Sequence, residues 1–229
     1  MPADPSAVLG TVPLFAHLPD AEIGALAQLV RERRFAKGAV ILSQGGDGDA
    51  LFLIQSGQIK VSIVAEDGRE VILSVLGPGG FFGEMALIDD EPRSAHVIAM
   101  TDTVLLQLRR EEFRARLRVS PELSISLLRE LSRRLRRADD NIASLMLLDV
   151  NGRVAHLLLD LAREEGGEGG ARITRRLTHE AIGQMVGASR ETVSRTMRHL
   201  VLREVIAVTR KEITLKNPGA LRLAAQQAP

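Results

Sequence analysis

The chain of 229 residues has no cysteine. That absence removes disulfides, thiolate-held metals and cysteine-ligated iron–sulfur clusters together. No apolar run approaches the roughly 18 residues of a membrane-spanning helix, so no membrane partner is expected. The opening residues MPADPSAVLG lack a basic stretch followed by an apolar core, which argues against export and for a cytoplasmic protein. Histidine is sparse and scattered, at His17, His96, His156, His179 and His199. A metal-dependent jelly-roll enzyme of cupin type needs clustered histidines and a carboxylate inside a barrel, and only His96 falls in the strand-rich stretch. The expectation is a protein that is not an enzyme and holds no metal.

Hydrophobic residues make up 45% of the chain and charged residues 26%, ordinary proportions for a globular protein with one or two cores. The net charge of +1 conceals an asymmetry. Residues 150–229 hold 13 lysines and arginines against 8 acids, whereas residues 1–149 hold 17 against 21. A basic C-terminal third suits a polyanionic partner.

Residues 19–34 carry Ile23, Leu26, Leu29 and Val30 on one helical face after Asp20 and Glu22, and so predict a helix. From residue 38 to 108 the texture changes to short apolar runs at 40–42, 51–54, 59–64, 71–76, 96–100 and 104–108, separated by turn material such as GGDGD, EDGR and GPGG. Strands so spaced predict an antiparallel barrel or double-sheet jelly roll, with Asp67-Gly68 as a tight turn and Gly57 as a bend. A helix over 153–165, a flexible GGEGG at 166–170, two short helices over 177–202, a hairpin over 205–215 and a frayed tail complete the chain. The fold class is α+β.

Between the two halves, residues 121–148 read as one long helix. Leu128, Leu131, Leu135, Ala138, Ile142 and Leu145 follow the alternating three- and four-residue spacing of a two-stranded coiled-coil seam. Ser120 is placed to cap this helix and Pro121 suits its first position. Arg129, Arg133, Arg134, Arg136, Arg137, Asp139 and Asp140 form a solvated face. The seam is about three turns long, so packing of the helix on its own domain is the competing reading.

Two stretches carry chemistry. In THEAIGQMVGASRETVSRTMRHLVL, residues 178–202, Thr178 and Ser189 can cap two helices and Gly187 supplies the turn between them. Ala181, Ile182, Met185 and Val186, then Val193, Met197 and Leu200, face inward, which leaves Arg190, Glu191, Ser194, Arg195 and Arg198 outside. That is a helix-turn-helix with a face fit for the major groove: arginine grips guanine and glutamate accepts from cytosine. In FFGEMALIDDEPRSA, residues 81–95, Gly83 permits close approach of backbone to a ligand, and the N–H groups of Met85 and Ala86 follow it. Glu84 can accept a ribose hydroxyl, Arg93 can fork onto a phosphate and Ser94 adds a donor.

These motifs, with LLDVNGRVAHLLLDLA at 147–162, make the chain over residues 12–217 resemble the cyclic-AMP receptor protein/FNR superfamily of bacterial transcription regulators, closest to the cyclic-AMP receptor branch. The resemblance implies an N-terminal jelly-roll sensor domain (1–119), a dimerisation helix with hinge (120–149) and a C-terminal winged helix-turn-helix domain (150–229). It implies that Gly83, Glu84, Arg93 and Ser94 hold the ribose and cyclic phosphate of cyclic AMP. Ala138 and Asp139 match the positions that meet the adenine in cyclic-AMP-binding relatives. Ala138 lacks a hydrogen-bonding side chain there and ionised Asp139 can only accept. By the same matching Arg190, Glu191 and Arg195 read base edges, while Thr178 and His179 lie near phosphates. The implied partners are a second copy through the long helix, a palindromic DNA duplex and RNA polymerase, with effector binding repositioning the recognition helices. Alternatives on the same fold are a regulator of cyclic di-GMP or of no effector, and a haem gas sensor with His96 as ligand.

Overall fold

The run Ala50 to Ile54 contains no polar residue because both faces of its strand are covered. In the computed structural model, which describes residues 5–166 and 171–226, this run lies in β3 (Ala50–Ser56), a strand of a four-stranded sheet. Its neighbours are β1 (Arg31–Phe35), β8 (Thr103–Arg109) and β6 (Phe81–Phe82), in the order β1-β8-β3-β6, all antiparallel. Ala50, Phe52 and Ile54 point into a core with Ile59, Phe82, Val97 and Leu105. Leu51 and Leu53 point the other way, onto a layer of helices and turns that brings Leu9, Leu14, Phe15, Leu26, Phe113 and Leu123. The second sheet, in the order β2-β7-β4-β5, consists of β2 (Val40–Leu42), β7 (His96–Ala99), β4 (Ile59–Val64) and β5 (Glu70–Leu76). The double-sheet jelly roll expected from strand spacing is therefore present. Phe52 and Phe82, opposite each other in register, stack with centroids 5.3 Å apart.

Several local expectations hold. The β4–β5 hairpin turns at Gly68 with φ +83°, where glycine alone is unstrained. At Gly57 φ is +93°, and a Cβ there would press to 2.5 Å from the Asp102 carbonyl, so this bend requires glycine twice over.

Two expectations fail. The helix expected over 19–34 ends early: α2 spans Asp20–Ala27, and Arg31–Phe35 forms strand β1. The five-residue ladder from Arg31 opposite Gln107 to Phe35 opposite Thr103 outweighs a helical pattern that has no apolar residue between Arg31 and Arg34. Leu29 and Val30 still pack into the helical layer, from a turn. Nor does the Ser120 hydroxyl cap the long helix. Ser120 ends α4 (Arg110–Val119), and its buried hydroxyl has no partner among the described residues.

The chain divides into two compact units, Met1–Arg134 and Leu135–Pro229. The long helix α5 (Pro121–Leu147) contributes to both. In the second unit α6 (Val150–Gly166) packs with α7 (His179–Val186), α8 (Arg190–Leu202) and α9 (Pro218–Ala224). A three-stranded antiparallel sheet in the order β10-β11-β9 completes it, from β10 (Ile206–Val208), β11 (Ile213–Leu215) and β9 (Arg172–Ile173). The expected hairpin is β10–β11, with Arg210 and Lys211 exposed at its tip. Val154, Leu158, Ile182, Val193, Met197, Ile206 and Leu221 centre this core. Residues 167–170 of the glycine-rich break and 227–229 of the tail lie outside the described residues.

Candidate functional site

At the end of β6, Gly83 takes φ +87° and the chain turns into Glu84 and α3 (Met85–Ile88). A side chain at position 83 would meet Arg93 Nη1 at 2.7 Å, so the glycine makes room for the arginine. Arg93 is only 4% exposed. Its Nη1 donates to the Gly83 carbonyl at 2.6 Å and its Nη2 to the Ala50 carbonyl at 2.9 Å, with Asp49 Oδ1 3.5 Å away. Burial pushes this guanidinium below its ordinary pKa, and Asp49 and Glu84 oppose the shift. The remaining nitrogen, Nε, is buried and makes no hydrogen bond among the described residues.

Glu84 is 3% exposed and is the acid of the pair. One oxygen accepts from Arg134 Nη1 at 2.9 Å, and Oε2 is buried without a hydrogen-bond partner among the described residues. Ser94 is exposed, its hydroxyl 3.9 Å from the Met85 sulfur, while Ala86 is buried. The structure therefore gathers Gly83, Glu84, Met85, Ala86, Arg93 and Ser94 around one turn. Ala138 and Asp139 are exposed on α5, in the part that belongs to the second unit.

Arg134 belongs to this site and not to a solvated face, which corrects the sequence reading. Besides Glu84 it donates to the Phe81 carbonyl at 2.8 Å, pairs with Glu130 at 3.2 Å and lies 4.4 Å above the Phe81 ring. Nothing in the helix pattern distinguishes Arg134 from Arg133; the contact closes over fifty residues of chain. His96 Nδ1, half-buried, accepts from the Gln44 N–H at 3.3 Å. Among the described residues no cluster of three or more histidines or acids could hold a metal, and no helix is long and apolar enough to cross a membrane.

The second constellation lies on α7 and α8. Thr178 Oγ1 accepts from Ala181 N–H at 3.0 Å and Ser189 Oγ from Thr192 N–H at 3.2 Å, so both hydroxyls cap. Gly187 adopts the left-handed φ of +64° between the helices. Gly183 is as necessary: a Cβ there would sit 2.5 Å from the Ala188 carbonyl. Val193, Met197 and Leu200 are buried, whereas Arg190, Glu191, Arg195 and Arg198 are exposed and Ser194 is half-buried. His179 is half-buried at the start of α7. The Glu191 carboxyl is held below its ordinary pKa by its own backbone N–H and by the Ser189 hydroxyl, so it stays an acceptor. Three arginines and one acceptor on the open side of a short helix suit base edges and phosphates.

Residues 32–119 match the cyclic nucleotide-binding domain, and residues 152–224 match the Crp-like helix-turn-helix domain. Over 216 residues the chain is 38% identical to the CRP-like cAMP-activated global transcriptional regulator of Mycobacterium tuberculosis, covering 93% of this chain and 96% of that one. It belongs to the cyclic-AMP receptor protein family. The Cyclic AMP receptor protein of Thermus thermophilus is 37% identical over 194 residues, 85% of this chain and 88% of that one. Among solved structures, the Thermus thermophilus catabolite activator protein aligns with a TM-score of 0.53 at 34% identity, covering 93% and 98% of the two chains. As a member of this family the chain is a transcription regulator and not an enzyme, with a nucleotide-binding jelly roll and a DNA-binding helix-turn-helix on one polypeptide.

Proposed function

We propose that this family member is a homodimeric, sequence-specific DNA-binding regulator whose effector is cyclic AMP, with cyclic di-GMP or no effector as runners-up. The observation that carries the effector half is the pair of buried, half-satisfied charges, Glu84 Oε2 and Arg93 Nε. A cyclic nucleotide brings both complements on one molecule, a ribose hydroxyl to donate and a phosphate to accept. Ser94 adds a hydroxyl at the rim, and the backbone from Gly83 through Met85 and Ala86 runs alongside. The cAMP-activated relatives support an adenine base; Ala138 and Asp139 offer it one carboxylate acceptor and nothing more.

The dimer half is supported by α5. Leu128, Leu135 and Ile142 are 62%, 63% and 57% exposed, and Ala138 and Leu145 are exposed with them. Covering the part of one such leucine or isoleucine that is still exposed gains about 1–2 kcal/mol, so a seam of them favours a second copy. Of the seam, Leu131 packs partly on its own unit and Leu145 lies beside Gly187. A two-fold dimer presents two α8 helices one DNA turn apart, which suits a palindrome. Arg190, Glu191 and Arg195 would then read base edges, Thr178 and His179 would approach phosphates, and Ser189, Ser194 and Arg198 would belong to the same DNA-binding surface. Residues 1–119 sense, 120–149 dimerise and hinge, and 150–229 bind DNA. The regulator works in the cytoplasm and passes its signal to RNA polymerase.

Calorimetric titration of the full chain with cyclic AMP, cyclic GMP and cyclic di-GMP tests the effector. A duplex selected from a random pool, bound with and without nucleotide at one salt concentration, tests the switch. Equal duplex affinity in both conditions removes the switch, and selective duplex binding without any nucleotide heat makes the protein effector-free.

A further inference from the structure

Thr196 breaks the pattern of helix α8. Its inward neighbours Val193, Met197 and Leu200 are apolar and buried, and Thr196 is buried among them at 4% exposure. A threonine hydroxyl inside a helix ordinarily donates to the carbonyl one turn back. Here Thr196 Oγ1 donates to Asn151 Oδ1 at 2.7 Å, across 45 residues of chain. Asn151 lies in the first turn of α6, and its Nδ2 donates to Asp149 Oδ2 at 3.3 Å. Asp149 Oδ1 in turn caps α6 by accepting the Gly152 N–H at 2.6 Å. One exposed amide thus joins the break between α5 and α6 to the middle of α8.

Two features mark this link as positional. Asn151 is exposed, so its amide can return to water at little cost if Thr196 is lost. A valine of the same shape would fill position 196 without any polar group to satisfy. What the hydrogen bond adds is direction. A helix with side chains has a radius of about 6 Å, so turning it by about 20° carries its tips about 2 Å. That exceeds the roughly 0.5 Å window of a good hydrogen bond. A small rotation of α8 would therefore take Arg190 and Arg195 off any base edge they read. It would leave attraction to phosphates nearly untouched, because that depends on charge and salt.

We propose that Asn151 and Thr196 are a positioning pair that fixes the rotation of α8 and thereby sequence discrimination, an inference that rests on the DNA-reading function proposed above. The test uses full-length protein with cyclic AMP and two probes: a palindromic duplex that the wild type selects from a random pool, and a scrambled duplex of equal length. Thr196→Val is expected to lower the ratio of the two affinities about tenfold, the size of one lost base contact, through the selected duplex alone. Asn151→Ala should match it, and the double variant should lose no more than either single change. Thr196→Ser keeps the hydroxyl and should restore the ratio, which a purely structural role would not require. An unchanged ratio in Thr196→Val, or equal losses on both duplexes, overturns the inference. A wild type that selects no sequence at all overturns the regulator reading first and this inference with it.

Discussion

Replacing Arg134 by alanine strands a carboxylate. Glu84 is 3% exposed, and Arg134 is the partner that the described residues give it. Removing one member of a buried ion pair costs about 3–5 kcal/mol, because the other member stays charged and dry. The Arg134 side chain is 29% exposed, so water refills part of the space and the loss falls to about 2–3 kcal/mol. The lost contact over Phe81 adds about 0.5–1 kcal/mol. Arg134→Ala is therefore expected to destabilise the N-terminal unit by about 3 kcal/mol. In a Glu84→Gln background the stranded charge is gone, and the same change should cost about 1–2 kcal/mol less. The chain has no tryptophan or tyrosine, so urea unfolding is best followed by far-ultraviolet circular dichroism. Losses that agree within about 0.5 kcal/mol in the two backgrounds would refute the ion pair as the cause.

Arg190→Ala should relax preference at one base pair of a selected duplex, at a cost of about 1–3 kcal/mol, and leave the other positions unchanged; uniform weakening across all sequences would make Arg190 a phosphate contact. Gly183→Ala should cost about 1–3 kcal/mol and abolish duplex binding while calorimetric nucleotide affinity is kept, because the new Cβ meets the Ala188 carbonyl; an unaltered melt would refute the clash. Asp160 titrates upward because burial outweighs the nearby His156 and Arg163. Its folded pKa lies above 3.8, so the folded state binds more protons in that window and stability from this group falls as pH rises through it. Asp160→Asn should remove that slope, seen as a difference between variant and wild-type melting curves from pH 4 to 7, and parallel curves would sink the assignment.

The strands from residue 40 onward were legible because each apolar run is bounded by turn residues that the backbone needs, as Gly57 and Gly68 demonstrate. The helix-turn-helix was legible for the same reason: Thr178, Ser189 and Gly187 act locally, within one turn of where they stand. What escaped depends on residues far away in sequence. β1 is a strand because β8 offers it a ladder, and nothing in Arg-Glu-Arg-Arg-Phe announces that. Arg134 joins the Glu84 cradle through a long flexible stem that any surface arginine has. Ser120 fits a cap by type, yet its hydroxyl is buried at the joint between α4 and α5, without a hydrogen-bond partner among the described residues. In the site itself, the residue types at 83–94 were readable, but the internal anchoring of Arg93 on Gly83 and Ala50 was not.

That anchoring makes the cradle a coincidence detector. Of the five N–H groups of Arg93, one on each terminal nitrogen is held by a carbonyl, while Nε has no hydrogen-bond partner among the described residues. A lone anion gains only the N–H groups that this anchoring leaves over, unless it displaces charge-assisted bonds of about 1.5–3 kcal/mol each. Free phosphate, abundant in any cell, has no sugar hydroxyl set apart from its charged oxygens by a carbon frame. A ligand that also brings a hydroxyl to the idle oxygen of Glu84 holds on at two points at once, and its gain can exceed what it displaces. The cradle would therefore favour, over common anions, a molecule that carries both groups at the right separation.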